Sequence, residues 1–300
     1  MGIFRRLIGT TDAVYPFIFK ITTTSASTVF TVPLVDSAGL SPSVSISWGD
    51  GSANSPLITS STSPDRIHTY ASAGTYIITI SGFMPGFRVD NSTSIRTLIT
   101  ELVQWGTVGL RTINFYGCTN LTAIPGSASL SGVGGYTGLN EITTFASFLR
   151  STKVTSIPSD IFAYSPNATT FTSCFDSVTT ITTVPSGLFN SNTQATIFSS
   201  CFNACTSLVS VPSNLFDLNT LAVNFSSTFR NCRALTNVLQ FTYNTLATNF
   251  TNVYNMTTTS NALTGTAPEL WNRTPTPSGT AAFRNCTGLA NFASIPANFK

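Results

Sequence analysis

The stretch that most constrains this chain runs from Phe198 to Phe216, FSSCFNACTSLVSVPSNLF. Nearly the same line stands 27 residues earlier, from Phe171 to Phe189, as FTSCFDSVTTITTVPSGLF. A degraded copy, one residue shorter, covers Phe145 to Phe162, and a further one starts at Phe225. Self-similarity at a fixed period of this size predicts stacked structural units, none of which can bury its apolar face alone. Aligned on the second ring, the copies place Phe115, Phe148, Phe175, Phe202, Phe229, Tyr254 and Phe283 in one column. Three residues further on stand Cys118, Ser151, Val178, Cys205, Cys232, Thr257 and Cys286. An apolar residue before proline follows in four copies, at Ile124, Ile157, Val184 and Val211. The expected fold over residues 110–300 is therefore a solenoid of about seven coils with a phenylalanine and aliphatic core. In each coil a short strand is expected, as at Leu208–Val211, ended by proline, which cannot donate to a ladder.

Composition agrees with a repeat built for exposure. Only 8% of residues are charged, against about 25% in an ordinary soluble domain. The polar surface must come from Thr, Ser and Asn. Net charge is +3 with no basic run, so the electrostatic footprint of a nucleic-acid binder is missing. No apolar run reaches the ~18 residues of a membrane span. Residues 1–13 carry Arg5 and Arg6 but no clean apolar segment, because Thr10, Thr11 and Asp12 interrupt it. They read as an arm that either frays or docks through Ile3, Phe4, Leu7 and Ile8, rather than as a secretory signal.

Residues 14–83 predict a β-sandwich: PFIFKITT, STVFTVPLV, SVSISW and TYIITISG are strand-like and separated by turn-formers. Trp48-Gly49-Asp50-Gly51 closes one such run, and His68-Thr69-Tyr70 leads through Gly74-Thr75-Tyr76 into another. This pairing of a WGDG turn with H-x-Y and G-x-Y resembles the PKD domains, an immunoglobulin-like family. Trp48 is expected to plug a core, Asp50 to bond its turn, and His68 and Tyr70 to hold the sandwich. His68 is the one histidine of the chain, so a catalytic or metal-binding histidine pair is excluded. Some PKD-like modules bind calcium, but Asp50 and Asp65 are a thin set for an ion taking about six to eight oxygens. Residues 84–109 read as a linker whose strands, among them Leu98–Gly106, cap the first coil.

The repeat itself, Phe202-x-x-Cys205-x-x-Leu208-x-x-Val211-Pro212, matches Phe115-x-x-Cys118-x-x-Leu121-x-x-Ile124-Pro125. This resembles the leucine-rich repeats of BspA-like surface proteins, a likeness that covers about residues 98–300. It implies a mostly β fold: a PKD-like sandwich followed by a leucine-rich-repeat solenoid.

The six cysteines follow the repeat, so Cys174 and Cys201, like Cys205 and Cys232, are stacked equivalents. Two readings remain: reduced core thiols, or a bridge between neighbours, which needs Cα atoms closer than about 7 Å. There is no G-x-S-x-G, HExxH, P-loop, GxGxxG or paired-carboxylate pattern, so no enzyme, metal or cofactor is expected. Binding is expected on an exposed strand face through Thr122, Thr155, Thr182, Val209 and Thr236; the alternative is that these are merely solvated. Two display-type modules without an export signal suggest a bacteriophage virion component. The arm and sandwich would attach to other virion proteins in many copies, or as a homo-oligomer, and the repeats would contact a host protein or glycan. A bacterial surface adhesin and a carbohydrate-binding module are the other readings.

Overall fold

The computed structural model describes residues 15–90, 93–127 and 139–300, so the expected arm at residues 1–13 lies outside the described residues. The first strand, β1 (Phe17–Thr23), alternates strictly, with Phe17, Phe19, Ile21 and Thr23 facing inward. It pairs antiparallel with the ten-residue β5 (Gly74–Phe83), which in turn pairs with β3 (Ser43–Ser47). Gly82 makes the β3–β5 pairing possible. Its φ is +108°, and a Cβ there would stand 2.3 Å from the Ser43 carbonyl oxygen. A two-stranded ribbon, β2 (Thr28–Thr31) with β4 (Ile67–Tyr70), packs against this sheet. The contact is aromatic: the Phe19 and Phe30 rings are 6.0 Å apart. A parallel pair, β6 (Gly86–Arg88) with β8 (Thr112–Asn114), leads towards the repeats.

The segment read as a linker supplies β7 (Ile99–Gln104), the fourth strand of the sheet, in the order β3-β5-β1-β7. Its other edge meets the first repeat: Thr122 N–H donates to Thr100 O at 3.1 Å and Leu102 N–H to Ala123 O at 3.1 Å. β7 thus covers the edge of β1 and starts the stack, so neither side presents an unpaired row to solvent. Small antiparallel sheets stand where a sandwich ending at residue 83 was expected. The buried core runs without a break from Phe17 to Phe299.

The larger correction concerns the repeats. Strand makes up only about 20% of the molecule, and among the described residues the last strand longer than an isolated bridge ends at Asn114. The mostly β, leucine-rich-repeat solenoid inferred from the sequence is therefore not what this chain forms. The expected strand at Leu208–Val211 reduces to a single bridge between Ser210 and Thr183. The cause is local. Ser200 and Ala204 have left-handed φ values of 54° and 55°, as do Ser173 and Ser177, and Ser227 and Asn231. Small residues tolerate this region at modest cost. The N–H groups consequently alternate in direction. Those of Phe198, Ser200, Phe202 and Ala204 donate to Asn224, Ser226, Thr228 and Arg230 of the next repeat at 2.7–2.9 Å. Those of Cys201, Asn203 and Cys205 fold back to the oxygens of Phe198, Ser200 and Phe202 at 3.1–3.2 Å. The result is a run of tight turns that are hydrogen-bonded layer to layer.

Equivalent rings stack through these layers. Phe171, Phe198 and Phe225 are spaced 5.4 and 5.6 Å apart and tilted by 5° and 6°. Phe175, Phe202 and Phe229 follow at 5.2 and 5.7 Å, tilted by 7° and 2°. Phe189 inserts edge-on against Phe198 and Phe202, and Phe216 inserts tilted against Phe198 and Phe229. The register also corrects the alignment of the degraded copy. Leu149 N–H donates to Cys174 O just as Phe175 N–H donates to Cys201 O. Leu149, not Phe148, therefore holds the anchor position, and buried Thr152 rather than Ser151 holds the place of Val178 and Cys205.

Candidate binding surface

Trp48, Asp50, His68 and Tyr70 assemble into one strut. The Trp48 and His68 rings stack at 4.7 Å with a tilt of 10°. His68 meets Tyr70 edge-on at 4.7 Å, and the Tyr70 hydroxyl donates to Trp48 O at 3.0 Å. Asp50 Oδ2 lies 2.7 Å from His68 Nε2, while its Oδ1 accepts from Ser52 N–H at 3.1 Å and Ser52 O–H at 2.6 Å. Partial burial opposes ionisation of Asp50, but the bonds from Ser52 and His68 outweigh it and carry its pKa from 3.8 down to about 2. Burial, with Asp50 nearby, holds Tyr70 well above the usual tyrosine range. The Asp50 carboxylate, His68 Nε2 and the Tyr70 hydroxyl are all bonded to members of the strut or its turn, an arrangement suited to bracing.

A pH dependence follows. A depressed carboxylate pKa adds stability that is complete above about 3.8 and is lost as pH falls towards 2. Discounted for solvent screening at this surface site, the loss is about 1 kcal/mol. Urea melts between pH 5 and 2 are expected to show that acid-dependent loss in the wild type and not in Asp50→Asn. Parallel curves for the two proteins would contradict it.

Phe175, Phe202 and Phe229 lie in the ring column already described. Cys205 and Cys232 are fully buried, and their thiols donate to Phe175 O and Phe202 O of the preceding repeat at 3.1 and 3.0 Å. All six cysteines are free. Burial pushes the Cys232 thiol up to about 12, so at neutral pH it is an inert packing group. Among the described residues no group of three or more His, Cys, Asp or Glu is placed to hold a metal.

Thr122, Thr155, Thr182, Val209 and Thr236 are all exposed. Three of the four steps are hydrogen-bonded: Thr155 N–H donates to Thr122 O, Val209 N–H to Thr182 O, and Thr236 N–H to Val209 O. The column continues to Thr264. It is a line of turns joined by single hydrogen bonds, not the face of a strand. Several hydroxyls are spent inward: Thr122 donates to Thr100 O, Thr236 to Val209 O and Thr264 to Thr236 O.

Two further columns escaped the sequence reading. The first is buried. Asn192 Nδ2 donates to Phe162 O and Ser165 O, and Asn219 Nδ2 to Phe189 O and Asn192 O. Asn244 Nδ2 donates to Phe216 O and Asn219 O, and the Arg273 guanidinium ends the series on Phe241 O and Asn244 O. Its signal is Phe-x-x-Asn, at Phe189, Phe216 and Phe241.

The second column occupies the position just after the ring anchor: Tyr116, Arg150, Asp176, Asn203, Arg230, Asn255 and Arg284; Arg230 and Arg284 are exposed, Tyr116, Arg150 and Asn203 half-buried, and Asp176 and Asn255 buried. Arg96 and Arg150 both lie over the Tyr116 ring, 4.8 and 4.9 Å from its centre. Arg150 Nε reaches Asp176 Oδ2 at 3.0 Å, and Asn203 Nδ2 donates to Asp176 Oδ1 at 2.9 Å. This half of the column is internally neutralised. In the other half Arg230, Asn255 and Arg284, with Met256, Thr257 and Asn285, line an open depression.

No protein-family model and no curated protein matches this chain.

Proposed function

We propose that this chain is a non-enzymatic structural and adhesion protein, a component of a bacteriophage particle that presents its repeats for surface contact. One observation carries the reading. Successive repeats hold equivalent side chains, mostly Thr, at one fixed outward position on a hydrogen-bonded, ring-packed column. A surface repeated in this way suits multivalent contact, in which weak sites held at fixed spacing combine. The N-terminal sheets would serve attachment to other particle proteins. No helix among the described residues is long and apolar enough to cross a membrane.

Mass spectrometry of purified phage particles tests the proposal. Stoichiometric recovery of the chain with the capsid or tail proteins is the expected result. Its absence from particles, or its recovery from the surface of bacterial cells, would overturn the virion assignment in favour of an adhesin.

A further inference from the structure

The polar column contains its own comparison. Where Asp176 stands beside Arg150, the guanidinium is matched by a carboxylate one layer away. At Arg230 and Arg284 the residue between them is Asn255. The layers here are separated by ring-to-ring steps of 5.3 Å, from Phe229 to Tyr254, and 5.9 Å, from Tyr254 to Phe283. Arg230 and Arg284 are exposed, and among the described residues neither has an ion-pair or side-chain hydrogen-bond partner. Arg233 adds a third cation at the rim, donating to Thr257 Oγ1 at 2.9 Å. Beyond Asp217 the chain has one acid, Glu269, and it is occupied with Asn272. Two arginines thus line a shallow depression, a third stands beside its Thr257, and no carboxylate lines it.

We propose that Arg230, Asn255 and Arg284 form a binding site for the oxyanion of an acidic saccharide, a carboxylate or a sulfate ester. Paired guanidinium groups present the planar donor forks that fit either group. The Asn255 and Asn285 amides donate to Asn252 Oδ1 at 2.6 Å and Met256 O at 2.7 Å, so the guanidinium groups carry the recognition, and the Thr257 hydroxyl, which accepts from Arg233, keeps its proton to donate to a sugar hydroxyl. A nucleic-acid strand fits less well, because the cations gather at one spot and no aromatic platform for stacking bases lines the depression. The proposal rests on the reading of the repeats as a contact surface and is independent of where the protein resides.

The test is calorimetric titration of the full chain with a sulfated oligosaccharide, a polyuronate oligosaccharide, a neutral oligosaccharide of equal length and single-stranded DNA. Saturable binding to one or both acidic sugars, and none to the neutral one, is expected; which acidic sugar binds identifies the oxyanion. Arg230→Ala and Arg284→Ala should each weaken it by about tenfold or more, the loss of a charge-assisted contact. Asn255→Asp should do the same by recreating the neutralised arrangement at Asp176. Arg150→Ala should leave binding within about twofold, since that guanidinium is already matched. Thermal melts that match the wild type confirm that the exposed arginine variants are folded. Absence of binding to both acidic sugars, tighter binding to DNA, or affinities unchanged in Arg230→Ala and Arg284→Ala would overturn the site. A protein recovered on particles that binds no acidic sugar would refute the site alone.

Discussion

Phe198→Ala is expected to destabilise the protein by about 4 kcal/mol, the scale of a phenylalanine truncated in a core that cannot collapse. The ring is fully buried. It stacks on Phe171 and Phe225 at 5.4 and 5.6 Å and meets Phe189 and Phe216 at 5.0 and 4.6 Å. Neighbouring layers cannot close the gap, because the backbone bonds from Phe198, Ser200, Phe202 and Ala204 fix their spacing. The damage should stay local. Stacked repeats are coupled mainly to their nearest neighbours, so amide hydrogen exchange is expected to rise over residues 171–241 and to remain slow in β1 and β5. Uniform loss of protection through β1 and β5 would show that the core behaves as one cooperative unit instead.

Asn219 carries the second large effect. Its Nδ2 satisfies two buried carbonyls, Phe189 O at 3.1 Å and Asn192 O at 2.9 Å. Asn219→Ala abandons both and is expected to cost about 2–3 kcal/mol, since buried polar groups left unpaired lose their solvation without return. The cost is moderated because Asn219 Oδ1 is itself without a partner. Asn219→Asp should be worse at neutral pH, although it preserves shape. A carboxylate there sets acceptors against acceptors in a buried site. Its penalty should shrink as pH falls, because a protonated carboxyl regains one donor. Urea melts of the three proteins at pH 7 and pH 4 measure this. An aspartate variant as stable as the wild type at pH 7 would refute the ladder's role.

Much of this architecture was legible in the chain. Phe175, Phe202 and Phe229 align by spacing alone, and they stack. Cys205 and Cys232 fall at equivalent positions, and both are free, buried thiols. Trp48, Asp50, His68 and Tyr70 come from separate strands and turns, and they meet as one strut. Misreadings arose where one-dimensional likeness stood in for geometry. The alternation around Leu208–Val211 looks like a strand, but its link to the preceding layer is a single bridge at Ser210 beside one hydrogen bond from Val209. Phe148 looks like a ring anchor, yet Leu149 holds that place, because the missing residue lies after the anchor rather than before it. β7 looked like a cap, and it is equally the outer strand of the N-terminal sheet, a role decided by the unpaired edge of β1.

The sequence by itself determined the period, most of the ring column and the exposed line from Thr122 to Thr236. Periodicity of burial survives any choice of backbone that places equivalent residues over one another. Only the tertiary structure decided which outward residues act together. Arg230 and Arg284 lie 54 positions apart in the chain, and they line one depression because they stand two layers apart, with Asn255 in the layer between. Asp176 neutralises Arg150 for the same reason, and Asn255 leaves Arg230 and Arg284 unmatched.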